Sequence, residues 1–206
     1  MTAGIRPPLL VATTNSGKLR EIRELLGDVA VDLLTLGDLP AIEPPEETGA
    51  TFEENARLKA TYYSMHTRHL TVAEDSGLVV DALGGAPGVL SARYVRPDAS
   101  YAERFDAIYR GLREHPDAGR SARFVCALAV ADGNAVVFET TQTVEGEIAE
   151  VPRGTEGFGY DPIFLFPAYR RTLAEVTRDE KLAVAHRGKA FRDLKRWLSL
   201  HPVNSD

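Results

Sequence analysis

Residues 9–18 have the sequence LLVATTNSGK, in which an apolar run passes directly into a short polar segment. The run at residues 9–12 is unbroken and short, as in a strand that is buried on both faces. Apolar residues return at helical spacing at Leu19, Ile22 and Leu26, so the pattern predicts a strand, a tight loop and a helix. Backbone N–H groups and the positive end of the helix meet at such a loop, which favours a bound phosphate.

The loop is not a Walker A phosphate loop. That motif requires Gly where Ala12 stands and Ser or Thr where Leu19 stands. An ordinary capped turn explains the same stretch, and the loop alone does not decide between the two interpretations. The candidate phosphate-binding residues of the loop are Thr13, Thr14, Asn15, Ser16, Gly17 and Lys18.

Composition limits the classes of function. The chain has 206 residues, of which 44% are hydrophobic and 26% charged, as in an ordinary globular protein. A net charge of −6 disfavours a general affinity for nucleic acid or for an anionic membrane. Cys126, the one cysteine, is expected to be a buried core thiol, and a chain with no disulfide pair fits a reducing cytoplasm. No apolar run approaches membrane-spanning length.

Capping boxes and apolar runs predict the order of the elements. Capping boxes at Thr51, Ser100 and Thr177 mark helix starts, with helices extending to about residues 68 and 114 and a last helix at about 187–200. Strands are expected at residues 31–36, 70–73, 123–130 and 135–143, the last two as a hairpin around residues 132–133. Helices and strands that alternate, with a hairpin later, predict one α/β domain with a mixed sheet over residues 1–206.

Two acidic pairs are candidate metal ligands. Glu46 and Glu47 stand in a loop before a helix, and Glu74 and Asp75 follow the apolar residues 70–73. Adjacent carboxylates at the end of a buried strand require a cationic partner, and Mg²⁺ takes oxygen ligands of this kind. No His and Cys residues have zinc-ligand spacing. Solvated loop charges and a capped turn remain the alternative interpretations.

Lys59 lies on the apolar face of the helix that follows Thr51. Phe52, Ala56, Lys59 and Tyr63 share this face by their spacing. A lysine in this position either extends to the surface or reaches a buried anion, and the sequence does not decide which.

Two later segments are candidates for recognition of a base. Phe158, Gly159, Tyr160 and Asp161 combine flat rings, a flexible residue and a carboxylate, which together suit stacking and hydrogen bonding to a base. Near the last helix, the donors of a basic cluster suit an anion or a keto oxygen. A structural aromatic loop and a solvated basic helix end are the alternatives. The basic residues of that cluster are Lys181, His186, Arg187 and Lys189.

Taken together, these features resemble the inosine/xanthosine triphosphate pyrophosphatases, a family that removes non-standard purine nucleotides. The likeness covers nearly the whole chain. It rests on the loop at residues 13–18, on 46–49, 51–52 and 54–56, on 59–60, 75–78, 83–88, 91–94 and 157–164, and on 186–188. The resemblance implies an α/β fold with an elongated mixed β-sheet and flanking helices, in which two lobes surround a central nucleotide-binding cleft.

The resemblance also implies a reaction and roles for residues. The reaction is Mg²⁺-dependent hydrolysis of ITP, dITP or XTP to the monophosphate and pyrophosphate, by a homodimer. Glu46 and Asp75 are expected to hold the metal, and Asp75 to accept a proton. Ser76 and residues 13–18 are expected to bind substrate, with Lys59 adding charge near the phosphates. The implied base pocket consists of Phe158, Gly159, Tyr160, Asp161, Lys181, His186 and Arg187.

The chain departs from this family at two positions. Glu74 stands where bacterial members often have Asp, and Ala185 stands where Ser usually precedes the His-Arg pair, which removes a hydroxyl from the base pocket. A Maf-like pyrophosphatase with a pyrimidine or modified-base substrate is the nearest alternative. A nucleotide-binding regulatory module without turnover is the second, and a nucleic-acid-binding protein is the least expected, given the negative net charge.

Overall fold

The structure is a computed structural model and describes residues 8–201. Over these residues the chain forms a mixed sheet of seven strands with flanking α-helices. The strands are β1 (Pro8–Val11), β2 (Asp32–Thr35), β3 (Leu70–Val80), β4 (Ser121–Asp132), β5 (Ala135–Ile148), β6 (Phe164–Phe166) and β7 (Arg171–Thr172). The helices are α1 (Ser16–Leu26), α2 (Phe52–Thr67), α3 (Tyr101–Glu114), α4 (Arg178–Val184) and α5 (His186–Leu200).

The strand order in the sheet is β2-β1-β3-β4-β5-β6-β7. β1 lies between β2 and β3 and runs parallel to both, whereas β6 is antiparallel to both β5 and β7. β4 and β5 are neighbours joined by a connection of two residues. The α/β class and the mixed sheet predicted from the sequence are confirmed.

All of the predicted capping boxes form. The side chain of Thr51 accepts from the Glu54 N–H at the start of α2, and Ser100 and Thr177 make the equivalent contact at α3 and α4. Each box satisfies backbone donors that the first helical turn leaves without a partner inside the helix. Local sequence therefore determines where these helices begin.

The prediction of a short strand at residues 70–73 is wrong in its extent. β3 does not end before Glu74 but continues to Val80, so Glu74 and Asp75 lie within an extended strand. Both carboxylates are nevertheless buried, at 3% and 6% exposure. The prediction ends the strand at these carboxylates because polar residues interrupt the apolar run, but tertiary contacts satisfy their side chains inside the sheet.

The chain divides into two compact units, each with its own core. Unit 1 contains the described residues up to Asp75, Cys126–Thr141 and those from Lys189 onward, and unit 2 contains Ser76–Val125 and Gln142–Gly188. In unit 1, apolar residues of β1, α1, β4 and α5 form one buried cluster, which includes Cys126 at 0% exposure. The predicted core position of Cys126 is confirmed.

Unit 2 has a more aromatic core. Its buried cluster is formed mainly by the end of β3, α3, the start of β4, β5 and the segment that leads into β6, with Tyr160 and Phe164 among its members. Between residues 8 and 201, no helix is both long enough and apolar enough to cross a membrane.

Candidate active site

The loop predicted to hold phosphate lies between β1 and α1 in unit 1. Asn15 caps the helix, because its side chain accepts the Lys18 N–H at 3.0 Å. The Asn15 N–H in turn donates to the Thr13 hydroxyl at 3.2 Å. Thr14, Asn15 and Ser16 are exposed. The loop therefore has the geometry of a capped helix start, and its role in binding phosphate stays a prediction.

Asp75 lies at the centre of an ionic group in unit 1. Its Oδ1 is 3.2 Å from the Lys59 ammonium, and its Oδ2 accepts from the Asn55 side-chain amide at 3.2 Å. The Lys59 ammonium also donates to Glu47 Oε1 at 2.7 Å. Lys59 therefore reaches buried and half-buried anions instead of extending to solvent, which decides between the two interpretations of this lysine.

The surroundings of Lys59 keep its side chain charged. Its side chain is 13% exposed, and burial by itself lowers the pKa of the ammonium. The nearby carboxylates of Asp75 and Glu47 more than offset that effect, so the pKa of Lys59 is raised above its ordinary value. Lys59 thus carries a fixed positive charge at neutral pH.

Glu74, the neighbour of Asp75 on β3, has different contacts. Its Oε2 accepts from the Cys126 thiol at 2.9 Å, and its Oε1 is 3.9 Å from the Lys18 ammonium. The structure therefore relates the loop at residues 13–18 to β3 through an ion pair inside unit 1. The sequence gives no signal for the Cys126 contact, because the two residues are far apart in the chain.

The two predicted metal ligands differ in their placement. Asp75 is buried, but Glu46 is exposed, and its neighbour Glu47 is the residue that reaches Lys59. Within residues 8–201, no group of three or more His, Cys, Asp or Glu side chains is arranged so that it could hold a metal ion. Mg²⁺ commonly takes one or two protein carboxylates together with water and substrate phosphates. The oxygen donors Asp75 and Glu46 are of the type that Mg²⁺ binds.

In unit 2, the aromatic loop is fixed from inside by Asp161. Its Oδ2 accepts from the Phe158 N–H at 2.8 Å and from the Lys181 ammonium at 2.6 Å. Gly157 and Gly159 have φ values of +74° and +67°, a conformation that other residues seldom adopt. A Cβ at Gly157 would also collide with the Asp161 carboxylate. The glycines of this segment are therefore structural requirements.

Tyr160 belongs to the core and not to an exposed recognition surface. It is 4% exposed, its hydroxyl donates to the Ser91 carbonyl at 2.9 Å, and its ring meets Tyr101 edge to face. Burial raises the pKa of the Tyr160 hydroxyl. Phe158 is only half-buried, so Phe158 is the more accessible of the two rings in this segment.

The basic cluster is buried, which rules out a solvated helix end. Lys181, His186 and Arg187 have exposures of 3%, 5% and 2%. The Lys181 ammonium lies 4.7 Å and the Arg187 guanidinium 5.5 Å from the centre of the Phe158 ring. Arg187 also donates to the Ser76 hydroxyl at 3.0 Å.

The other two members of this region are also packed in unit 2. The His186 ring stacks on Phe124 with 4.9 Å between the ring centres. Ala185 is 1% exposed and ends α4, where its N–H donates to the Lys181 carbonyl. The predicted base-pocket residues Phe158, Asp161, Lys181 and Arg187 therefore form one contacting group, and Ser76, predicted to bind substrate, joins it through Arg187.

Asn55 was missed as a site residue, and Glu47 was named only as a member of an acidic pair, with Glu46 as the expected ligand. Asn55 stands one helical turn before Lys59, so the helix period could have placed its side chain on the same side as Lys59. Glu47 had the same signal as Glu46, and only the path of the loop distinguishes them.

The fold and these two groups define an α/β protein with buried ionic side chains of the kinds that bind phosphate and an aromatic-cationic group that suits a flat ring. A model of the Ham1 family matches residues 9–197. The chain therefore belongs to the Ham1 family, as its resemblance to the inosine/xanthosine triphosphate pyrophosphatases predicts.

Relatives and solved structures are similar over nearly the whole chain. A dITP/XTP pyrophosphatase of Exiguobacterium sibiricum is 44% identical over 191 residues, which are 93% of this chain and 96% of that protein. One of Bacillus cereus is 47% identical over 189 residues, 91% and 92% of the two chains. The structure of a HAM1 protein from Coxiella burnetii superposes with a TM-score of 0.88 at 40% identity, covering 94% of this chain and 99% of that one.

Proposed function

We infer that the protein is a nucleoside triphosphate pyrophosphatase that hydrolyses the non-standard purine nucleotides ITP, dITP and XTP to the monophosphate and pyrophosphate. The observation that carries this inference is the Asp75 carboxylate, buried between Lys59 and Asn55. It occurs in a chain that is 44% identical to a dITP/XTP pyrophosphatase across 93% of its length. A buried carboxylate beside a lysine suits proton transfer next to bound phosphate.

We assign the reacting end of the nucleotide to unit 1. A water oxygen forms a bond to the α-phosphorus, the bond from that phosphorus to the bridging oxygen of the β-phosphate breaks, and pyrophosphate leaves. Asp75 accepts a proton from the attacking water. Lys18, Lys59 and the N–H groups at the start of α1 hold the phosphates and offset their negative charge.

Mg²⁺ is part of this proposal. Asp75 and Glu46 would hold it, and when bound it supplies positive charge to the phosphate oxygens. The exposed position of Glu46 leaves its carboxylate accessible to a metal-phosphate complex. Because Mg²⁺ usually completes its coordination with water and phosphate, few protein ligands are needed.

We assign the base to the contacting group in unit 2. Phe158 offers a ring for stacking, and Lys181 offers N–H donors beside it. Inosine and xanthosine present a keto oxygen at C6, which a donor satisfies. Adenine presents an amino group there, so two donors would face each other. We expect adenine to be rejected for that reason.

Three further expectations belong to the proposal. The protein acts as a homodimer. It works in the cytoplasm, where a chain with one buried cysteine is stable in the reduced state. It removes non-standard purines from the precursor pools of DNA and RNA. The whole chain serves as one pyrophosphatase domain.

Product analysis in ¹⁸O-labelled water tests the reaction. The protein is incubated with dITP and Mg²⁺, and the products are separated and analysed by mass spectrometry. We expect pyrophosphate without label and dIMP with one labelled oxygen. Release of orthophosphate would contradict the proposal, because it would place the attack on the γ-phosphorus, and label in pyrophosphate would place it on the β-phosphorus.

A further inference from the structure

Asn55 makes several side-chain hydrogen bonds beside Asp75, although the proposed function gives it no role in the reaction. It lies in the first turn of α2 and is 0% exposed. Its Oδ1 accepts from the Gly49 N–H at 2.8 Å, and its Nδ2 donates to the Gly49 carbonyl at 3.4 Å and to Asp75 Oδ2 at 3.2 Å. One amide therefore contacts both the loop at residues 46–49, here called the acidic loop, and the carboxylate on β3.

These contacts complete a closed ring inside unit 1. From Asp75 the ring passes through Lys59 at 3.2 Å to Glu47 at 2.7 Å, and then along the acidic loop to Gly49 and back through Asn55. Each oxygen of Asp75 is held by a donor from α2. A carboxylate has about four acceptor positions, so two donors fix its plane and still leave acceptor positions for a water or a metal.

We propose that Asn55 is a positioning residue for hydrolysis: by tying Gly49 to Asp75, it fixes the carboxylate that accepts the proton relative to the acidic loop. Only an amide fits this task, because the position requires an acceptor for the Gly49 N–H and donors for two oxygens. Aspartate has nearly the same shape, but it lacks the donors and would place a second negative charge against Asp75.

Gly49 is the other partner in the contact with Asn55. A Cβ added there would lie 2.7 Å from Asn55 Oδ1 and 2.7 Å from Glu54 Cβ. Any larger residue must therefore displace the amide or the loop. Gly49→Ala consequently breaks the same contact from the other side without changing Asn55.

Thr51 provides a matched control in the same helical turn. Its side chain caps α2 by accepting from the Glu54 N–H at 3.1 Å, and it is not a member of the ring around Asp75. Thr51→Ala therefore weakens the start of α2 as a structural change would, without touching the ring.

The test uses the full chain with dITP and Mg²⁺ and measures kcat and KM separately for Asn55→Asp, Gly49→Ala, the double variant and Thr51→Ala. We expect kcat to fall by about 100-fold in each of the first two, since small misplacement of a reacting group has effects of this size. KM should change far less. The double variant should be no slower than the worse single variant, because both changes break one contact. Thr51→Ala should keep the kcat of the unchanged protein.

A readout without substrate separates this proposal from the proposed function on which it rests. The free energy of unfolding is measured by urea denaturation in the presence of EDTA. The losses caused by Asn55→Asp and by Gly49→Ala should be non-additive in the double variant. Additive effects, or an unchanged kcat in Asn55→Asp, would overturn the positioning role. An equal loss of kcat in Thr51→Ala would overturn it too. If Asn55→Asp does not fold, the positioning role is tested by comparing kcat in Gly49→Ala with kcat in Thr51→Ala. Absence of dITP hydrolysis by the unchanged protein overturns the proposed function instead.

Discussion

The ionic groups of the two units are built in opposite ways. In unit 1, three buried or half-buried carboxylates, those of Glu47, Glu74 and Asp75, share two lysines. In unit 2, the Asp161 carboxylate faces Lys181, with Arg187 beside the same Phe158 ring. An excess of carboxylate suits metal and proton chemistry, whereas an excess of donors beside a ring suits a neutral, flat group with a keto oxygen. The difference supports a division of work between chemistry and recognition.

The largest effect is expected in unit 1, to which the proposed function assigns the chemistry. Asp75→Asn keeps the shape of the side chain but removes the proposed proton acceptor, so we expect kcat for dITP to fall by about 1,000-fold, within the range for loss of a general base. KM should change much less. Steady-state kinetics measure both quantities, with Asp98→Asn, a change at an exposed surface ion pair, as the control. An equal loss in kcat and in affinity would make Asp75 mainly a binding residue.

The next effect concerns the stability of unit 2. Lys181→Met leaves the buried Asp161 charge without its ammonium partner, so we expect the free energy of unfolding to fall by about 3–5 kcal/mol. Lys195→Met is the matched control, because Lys195 pairs with Asp28 at the same distance of 2.6 Å but in solvent. Its loss of stability should be far smaller, because water screens an exposed ion pair. Urea denaturation measures both, and equal losses would contradict the distinction between the buried and the exposed pair.

Base selectivity tests the recognition assigned to unit 2. We expect kcat/KM for ITP and XTP to exceed that for ATP by about 100-fold or more, because adenine would leave a buried donor unpaired. GTP shares the C6 keto group, so its rejection has to come from contacts at C2. Hydrolysis of the four nucleotides under identical Mg²⁺ concentrations measures the ratios. Comparable rates with ATP or GTP would remove the claim of selectivity.

A smaller effect should separate base binding from phosphate binding. Phe158→Ala should raise KM for dITP by about 10-fold through lost stacking, and leave inhibition by inorganic triphosphate unchanged. Lys59→Met should weaken inhibition by inorganic triphosphate. Competition assays measure both constants. If Phe158→Ala also weakened inhibition by inorganic triphosphate, the proposed division between the units would fail.

The smallest effect comes from an exposed ion pair in unit 2. The hydrogen bond from Arg96, with further bonds from Ser100, lowers the pKa of Glu103 from 4.5 to about 2. A lowered pKa in the folded state gives stability that is present above about pH 4.5 and is lost as the pH falls toward 2. Thermal melts should therefore show Glu103→Gln less stable than the unchanged protein at pH 6, with a difference that narrows below pH 4.5. A constant difference across this range would contradict the assignment.

Local sequence decided most of the secondary structure. The helix starts at Thr51, Ser100 and Thr177 were predictable because a capping box involves residues only three apart. The extent of β3 was not, because its polar residues are satisfied by partners distant in the chain, such as Cys126 and Lys18 for Glu74.

For the site, too, some features follow from the sequence and others only from the tertiary structure. The sequence by itself determined the family, the order of the motifs and the residue types, since these depend on chemistry and spacing along the chain. Only the tertiary structure decided that Glu47 reaches Lys59, that Tyr160 is core and that Asn55 holds Asp75. The physical reason is that a contact depends on how the backbone brings distant residues within about 3 Å of each other, and spacing along the chain does not contain that information.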